Sequence, residues 1–581
     1  MESKKNKRYK SSPLGEGFSC ISVLAGILLF ISCNTNNDHI SSNPAMIAAG
    51  EVSFDKNCSG CHNFKQDAIG PQLSGITAEV NIEWIEHFIK NPQQMINAGD
   101  KRATDLYKKY KVAMPSFENL SNDELKSVIA FLNVHKSVSE KPGSKRKFLS
   151  NPIPDTIALS NLVVELKQIV QAPASSDNGK KPLARITKLD YQPGSKDLFI
   201  VDLRGKLYRL HNGKLNVFMD MKSLKPKFIN EPGLATGFGS FAFHPDFEKN
   251  GFFYTTHTEP PNSAKADFAY NDSIKVTLQW VLTEWKADDP KAETFKGKGR
   301  ELLRVNMVSG IHGMQEIAFD PSVKQGDKDY GLLYIGIGDG GAVENGYPFL
   351  AHSRNKVWGT VLRIDPKGNN SANKQYGIPA TNPFTNDGNN NELKEIYAYG
   401  FRNPHRISWS KTGKMLVSNV GHGNIESLDL VLPSHDYGWP VREGSFVLNA
   451  QDDINKVYAL PANDSSYHIT YPVAEYDHDE GKAICGGFEY TGSAIPVLKE
   501  KFLFGDIPTG RLFYVNMNDI KPGSSATIKE WRIAVDGKEK SLRDLCGSDR
   551  VDLHFGRDAD GELYILTKAD GKVYKLLDAK E

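Results

Sequence analysis

The sequence predicts a multidomain protein, with a small all-α domain followed by an all-β six-bladed propeller. Three observations lead there. A chain of 581 residues exceeds what one hydrophobic core usually organises. Residues 46–136 carry apolar residues at helical spacing, such as Leu125, Val128, Ile129 and Leu132. Beyond residue 156 the pattern changes to short alternating strands broken by Gly, Asp, Asn and Pro, and one loose unit recurs six times.

In chain order, Lys4, Lys5, Lys7, Arg8 and Lys10 precede an apolar run from Phe18 to Ile31 that is too short for a comfortable membrane span. This reads as an export signal over residues 1–33. Its end, Phe30-Ile31-Ser32-Cys33, resembles a bacterial lipoprotein signal, which implies cleavage and lipidation at Cys33 and a place on the periplasmic side of a bacterial membrane. The alternative is an uncleaved anchor, or an ordinary signal peptide whose cysteine is incidental. Residues 34–45 read as a polar tether and residues 137–155 as an interdomain linker rich in Lys, Ser, Glu and Pro. Within the small domain, Ser121 and Glu124 have capping-box spacing ahead of the last helix. The recurring unit in residues 156–581 is a strand, a turn, and a strand centred on Leu-Tyr or Leu-Phe. It occurs at 189–210, 241–257, 317–341, 407–421, 488–515 and 553–576. Radial repetition of small sheets hides most strand edges, which favours a propeller of six blades over a large sandwich.

Lys plus Arg (71) balances Asp plus Glu (70), so no global field exists to steer nucleic acid. Of six cysteines, two lie in the signal region and two at Cys58 and Cys61. The remaining pair, Cys485 and Cys546, could form a disulfide in an oxidising compartment, though spacing alone does not say that they meet.

Cys58-Ser59-Gly60-Cys61-His62 has the spacing of a covalent c-type haem site. Two thiols one turn apart can add to the two vinyl groups while His62 reaches the iron from the same face. Candidates for the opposite axial position are Met114, Met95, His87 and His135. With Ile69-Gly70-Pro71-Gln72-Leu73 and Ala113-Met114-Pro115, the segment resembles a class I cytochrome c domain. The resemblance implies Met114 as the second ligand.

Several later stretches look like the glucose/sorbosone dehydrogenase family of six-bladed propellers, which includes quinoprotein sugar dehydrogenases using pyrroloquinoline quinone (PQQ) and calcium. They are Phe241 to Phe247, Ile337-Gly338-Asp339-Gly340-Gly341, Tyr399 to Pro404, Asp436-Tyr437-Gly438-Trp439-Pro440, and 556–567. The resemblance implies His312 as the catalytic base, and Arg402 as a residue stabilising charge on the quinone oxygens and contacting the cofactor. It adds Asn403 and Arg550 as further PQQ contacts. It also implies calcium held through backbone oxygens of Gly421 and His422, with Asp339 as an alternative ligand. The chain departs from the family at Ala235 to Gly239, at Pro508 to Arg511, and at Asp552, each where a charged or polar cofactor contact is usual. Arg511, Arg550 and Arg557 are candidate substitutes.

These features together imply an exported quinohaemoprotein-type oxidoreductase. A sugar-like alcohol or hemiacetal would be oxidised through PQQ, and electrons would pass to haem c and then to an acceptor protein or respiratory chain. The alternatives are a carbohydrate- or protein-binding propeller without a redox cofactor that carries an electron-transfer domain, and a calcium-dependent hydrolase with His312 as base.

Overall fold

The computed structural model describes residues 40–58, 61–62, 64, 70–110, 113–136, 147–176, 179–233, 235–386, 388–450 and 453–581. Cys33, the expected signal and the first half of the tether lie outside the described residues. Among the described residues, no helix is long and apolar enough to cross a membrane.

The N-terminal part is helical: α1 (Pro44–Asn57), α2 (Ile76–Glu79), α3 (Ile82–Lys90), α4 (Pro92–Asn97), α5 (Lys101–Tyr110) and α6 (Asn122–Val134). Local sequence sets the ends of these helices. Asn43 caps α1 by accepting from the Ala45 N–H, with Pro44 at the first position, where a missing N–H costs nothing. Ser121 and Glu124 form the expected capping box on α6, the carboxylate accepting from the Ser121 N–H at 2.8 Å. Helices α1 and α6 cross at Gly50, where a Cβ would lie 1.9 Å from the Ser127 carbonyl oxygen, so only glycine permits the approach. Phe54, Val128, Phe131 and Leu132 fill one apolar cluster there, and Ile85, Ile89, Leu125 and Ile129 anchor a second.

The remainder is β-rich. Strand β1 (Ala158–Gln171) is followed by three runs of four antiparallel strands: β2–β5 (Ile186–Tyr191, Leu198–Asp202, Lys206–His211, Lys214–Asp220), which forms one end of a longer 13-stranded sheet, and the separate sheets β6–β9 (Phe238–Phe243, Phe252–Glu259, Leu278–Ala287, Gly297–Met307) and β10–β13 (Glu316–Phe319, Leu333–Ile337, Thr360–Ile364, Ile396–Tyr399). In the next, β14–β16 (Pro404–Trp409, Met415–Asn419, Ile425–Val431) pair with β20 (Ala474–Asp477). A small sheet, β17–β19 (Arg442–Glu443, Phe446–Leu448, Val457–Tyr458), is inserted between. Then come β21–β24 (Ile484–Glu489, Lys501–Asp506, Leu512–Asn516, Lys529–Val535) with β25 (Lys538–Lys540) paired to β24, and β26–β28 (Leu553–Arg557, Leu563–Thr567, Lys572–Lys580). Strand β1 closes this last group: it pairs antiparallel with β28 and parallel with β24, tying the start of the β-rich part to its end.

Each of the six recurring sequence units falls on a different one of these groups, at its first two or three strands. The first strands lie side by side in sequence order, β2 by β6, β6 by β10, β10 by β14, β14 by β21 and β21 by β26, with β26 in turn beside β2. Apolar residues fill the spaces between neighbouring sheets. Trp280, Leu282 and Val305 of β8 and β9 pack with Ile317, Leu333 and Ile335 of β10 and β11. The disulfide left open by sequence is absent: Cys485 and Cys546 are both buried free thiols in one apolar cluster, and burial pushes each up to about 12.

Gly50→Ala tests the helix crossing. Overpacking there should cost about 1–3 kcal/mol, read as a lower midpoint for thermal loss of the haem-region spectrum, with the β-rich part melting as before. An unchanged midpoint would contradict the crossing.

Candidate active site

Two groups of side chains carry chemistry, one in each part of the molecule. In the helical part, the N–H groups of Cys61 and His62 both donate to the Cys58 carbonyl at 3.0 Å, which holds the two thiols on one turn. His62 Nδ1 donates to the Pro71 carbonyl at 2.8 Å. That bond fixes the tautomer and makes Nε2 the nitrogen offered to a metal. Gly70 packs flat on the ring, where a Cβ would come 2.4 Å from Cε1 and push the imidazole aside.

Cys58, Cys61 and His62 line a cavity of about 330 Å³, and Met114 stands in the same wall. None of the rival ligands lines it. His135 is taken up by the Phe131 carbonyl at 2.9 Å and stacks on Phe64 at 3.5 Å, and His87 is exposed. Two thiols, an oriented imidazole and a thioether around an apolar cavity fit haem c, with His62 and Met114 as axial ligands. Arg550, from the β-rich part, completes the lining.

In the β-rich part, His312 precedes β10 with φ of +52°, a left-handed conformation that non-glycine residues rarely hold. Asp339, just after β11, accepts from His312 Nδ1 at 2.8 Å and from the Gly341 N–H at 2.9 Å. Its second oxygen accepts from Trp439 Nε1 at 3.0 Å, and its own N–H donates to the Arg402 carbonyl at 2.8 Å. Asp339 therefore orients His312 and leaves Nε2 as the proton acceptor; it is occupied in this role and not as a cation ligand. Burial pushes His312 below its ordinary range, and the Arg402 charge pushes it further while Asp339 opposes. The ring is neutral at pH 7, as a base must be.

Arg402 ion-pairs with Glu344, donates to the Gly421 carbonyl and lies 5.6 Å from the Trp439 ring centre. Burial alone would raise the Glu344 carboxyl, but Arg402 and His422 outweigh it and hold it well below the usual range. At Gly421 the oxygen expected to face calcium already has a donor. The Gly421 oxygen faces a guanidinium, the His422 N–H is bound by Glu443 at 2.7 Å, and its Nδ1 lies 3.1 Å from Glu344. A cation at that carbonyl would sit against the Arg402 charge.

Buried side-chain atoms lacking a hydrogen-bond partner among the described residues include Arg402 Nε, Asn403 Oδ1 and His405 Nε2. Near His405 lie the charges of Arg406 and Lys568, together with His312. Burial brings Lys568 down to about 8; Asp552 opposes, and Arg185, Arg550 and Arg406 lower it further. This surplus of buried positive charge, with unspent polar atoms beside Arg402, fits an anionic ligand such as PQQ. Of the suggested substitutes, Arg511 is neutralised by Glu480 and Glu530 at 2.6 Å each, and Arg557 lies over the Phe488 ring at 5.1 Å. Arg185 and Lys568, which sequence reasoning missed, supply the charge with Arg550.

The model of the glucose/sorbosone dehydrogenase family matches residues 187–575, and the chain belongs to that family. A cytochrome c model matches residues 47–136, so a cytochrome c domain precedes it. Among curated relatives, HIPL2 protein of Arabidopsis thaliana is 27% identical over 370 residues, covering 54% of this chain and 49% of its own. The chain thus spans about half the length of that relative. Quinoprotein glucose dehydrogenase B of Acinetobacter calcoaceticus is 23% identical over 415 residues, 66% of this chain and 78% of its own. A crystal structure of a glucose dehydrogenase shares the fold at a TM-score of 0.50 and 18% identity, covering 71% of this chain and 99% of that one. The chain thus joins a cytochrome c domain to a domain of the glucose/sorbosone dehydrogenase family.

Met114→Ala should open an axial position. Added imidazole would then bind the haem and shift its Soret band, while the wild-type spectrum stays fixed. Binding of imidazole to both proteins alike would assign the second ligand elsewhere.

Proposed function

We propose that the chain is an exported dehydrogenase, held at a membrane through lipid on Cys33. Its six-bladed propeller oxidises a sugar-like alcohol or hemiacetal with PQQ, and its cytochrome c domain carries the electrons to an acceptor protein or respiratory chain. One observation carries the reading: a neutral imidazole oriented by Asp339 stands beside Arg402 and a buried surplus of positive charge. Family membership and the similarity to a quinoprotein glucose dehydrogenase support it. The succession of first strands, closed by β1, supports six blades. No step is assigned to calcium.

PQQ supplies a two-electron hydride acceptor, and haem c a one-electron relay. The chain's own residues do the rest. His312 Nε2 takes the hydroxyl proton as the substrate C–H bond breaks, and Asp339 stabilises the imidazolium that results. Trp439 keeps Asp339 from turning away. Arg402 and Asn403 face negative charge developing on the acceptor oxygens, in a buried setting where such contacts count for more than in water. Lys568, Arg185 and Arg550 would supply positive charge to the carboxylates of PQQ. His62 and Met114 would fill both axial positions, so the haem site passes electrons without binding substrate.

The test adds PQQ to the purified full chain and follows the haem α-band while a panel of aldoses is offered. Reduction requiring both PQQ and sugar is expected. His312→Ala should abolish it without altering the haem spectrum. Because the base must be neutral and its affinity for a proton is depressed, kcat/KM should fall with acid only below pH 6.5. No reduction across the panel, with the haem spectrum intact, would favour a binding propeller without a redox cofactor.

A further inference from the structure

We propose that Arg550 sets the reduction potential of the haem from across the domain boundary, making the β-rich part a determinant of how readily the haem accepts an electron. The inference deepens the function above and rests on it only for the presence of haem c.

Among the described residues lining the haem cavity, Arg550 is the one contributed by the β-rich part; Cys58, Cys61, His62 and Met114 all come from the helical part. Arg550 lies just before β26, on a segment fixed by its neighbours. Ser548 Oγ donates to the Arg550 carbonyl at 2.9 Å, the Val551 N–H donates to the Pro508 carbonyl at 3.0 Å, and Asp552 is held at φ of +51°. The side chain is 21% exposed and its Nε lies 2.8 Å from Asp552 Oδ1, a carboxylate only 7% exposed. That carboxylate offsets part of the charge but does not cancel it at the cavity wall, because Arg550 lines the cavity and Asp552 does not. The haem edge therefore meets a fixed positive charge that titration does not remove.

Reduction adds one electron to the ferric centre and no proton, so the haem becomes more negative by one unit. A cation in a poorly solvated wall favours that state, and net charge and burial near a haem are recognised determinants of its potential. The other polar contacts between the parts are weak by comparison. Lys275 and Glu51 meet at 2.9 Å with both side chains well exposed, and Lys180 donates to Asn119 at 3.3 Å. Arg550 is thus a positioning residue for charge, acting on the haem and not on the substrate.

The test is a spectroelectrochemical titration of the full-length haem-containing protein with redox mediators, in the absence of PQQ and sugar. Arg550→Gln should move the one-electron equilibrium at least tenfold toward the ferric form, 59 mV lower for such a couple. Arg550→Lys should keep most of the wild-type potential, and Asp552→Asn should move it the opposite way, upward. Lys196→Gln, which removes a charge that is 86% exposed, controls for loss of charge as such and should change the equilibrium by less than threefold. If Arg550→Gln misfolds, the opposite shift in Asp552→Asn still decides. A wild-type potential in folded Arg550→Gln, or a downward shift in Asp552→Asn, would overturn the inference and leave the proposed function standing, because the titration contains neither PQQ nor sugar. The predicted shifts in a protein that no sugar reduces would instead support the inference and count against the proposed function.

Discussion

The carboxylate of Asp339 holds the candidate active site together. One oxygen fixes His312 and the Gly341 turn, the other fixes Trp439, and the residue's own N–H binds the Arg402 carbonyl. Four segments from separate parts of the β-rich chain are thereby set in one geometry. Without it, His312 would lose the partner that fixes its tautomer, while Gly338 lets the neighbouring chain approach the His312 backbone, where a Cβ would lie 2.5 Å from the His312 carbonyl oxygen. Arg402 depends on the arrangement too, because its backbone is pinned there while its guanidinium is drawn toward Glu344 and Trp439.

The two parts of the molecule answer different physical demands. The helical part surrounds an apolar cavity with soft ligands, which suits a group that exchanges single electrons. In the β-rich part Lys568 feels Arg185, Arg550 and Arg406 together, with Asp552 opposing them, a gathering of like charge that is costly unless an anion arrives. Arg550 belongs to both settings. It shares a carboxylate with the basic cluster and forms part of the haem cavity wall, so charge at one centre is felt at the other. Joining acceptor to donor in one chain also raises its effective concentration beyond what free diffusion supplies.

What was legible in the sequence was whatever a local pattern specifies. Cys58, Cys61 and His62 follow from spacing alone, the α6 cap from Ser121 and Glu124, and the six recurring units from strand alternation. Met114 was one candidate among four until the cavity separated it from His87, Met95 and His135. His312 and Arg402 came from resemblance, and the structure brings their neighbourhoods together through Asp339. Glu344 had no signal, because it lies in an ordinary loop and gains meaning only from Arg402 across the fold. Lys568 and Arg185 were missed for the same reason: their importance is a sum of charges from distant strands. That the Gly421 carbonyl accepts from Arg402 was likewise hidden, because sequence shows a loop but not which donor its carbonyl has found.

The central claim is that oxidation in the β-rich part and electron acceptance in the helical part are steps within one molecule. The most direct measurement is stopped-flow reduction of the haem by an oxidisable sugar, with PQQ loaded, across a wide range of protein concentration. A first-order rate independent of protein concentration is predicted. A rate that rises in proportion to protein concentration would mean that electrons pass between molecules, and would contradict the account.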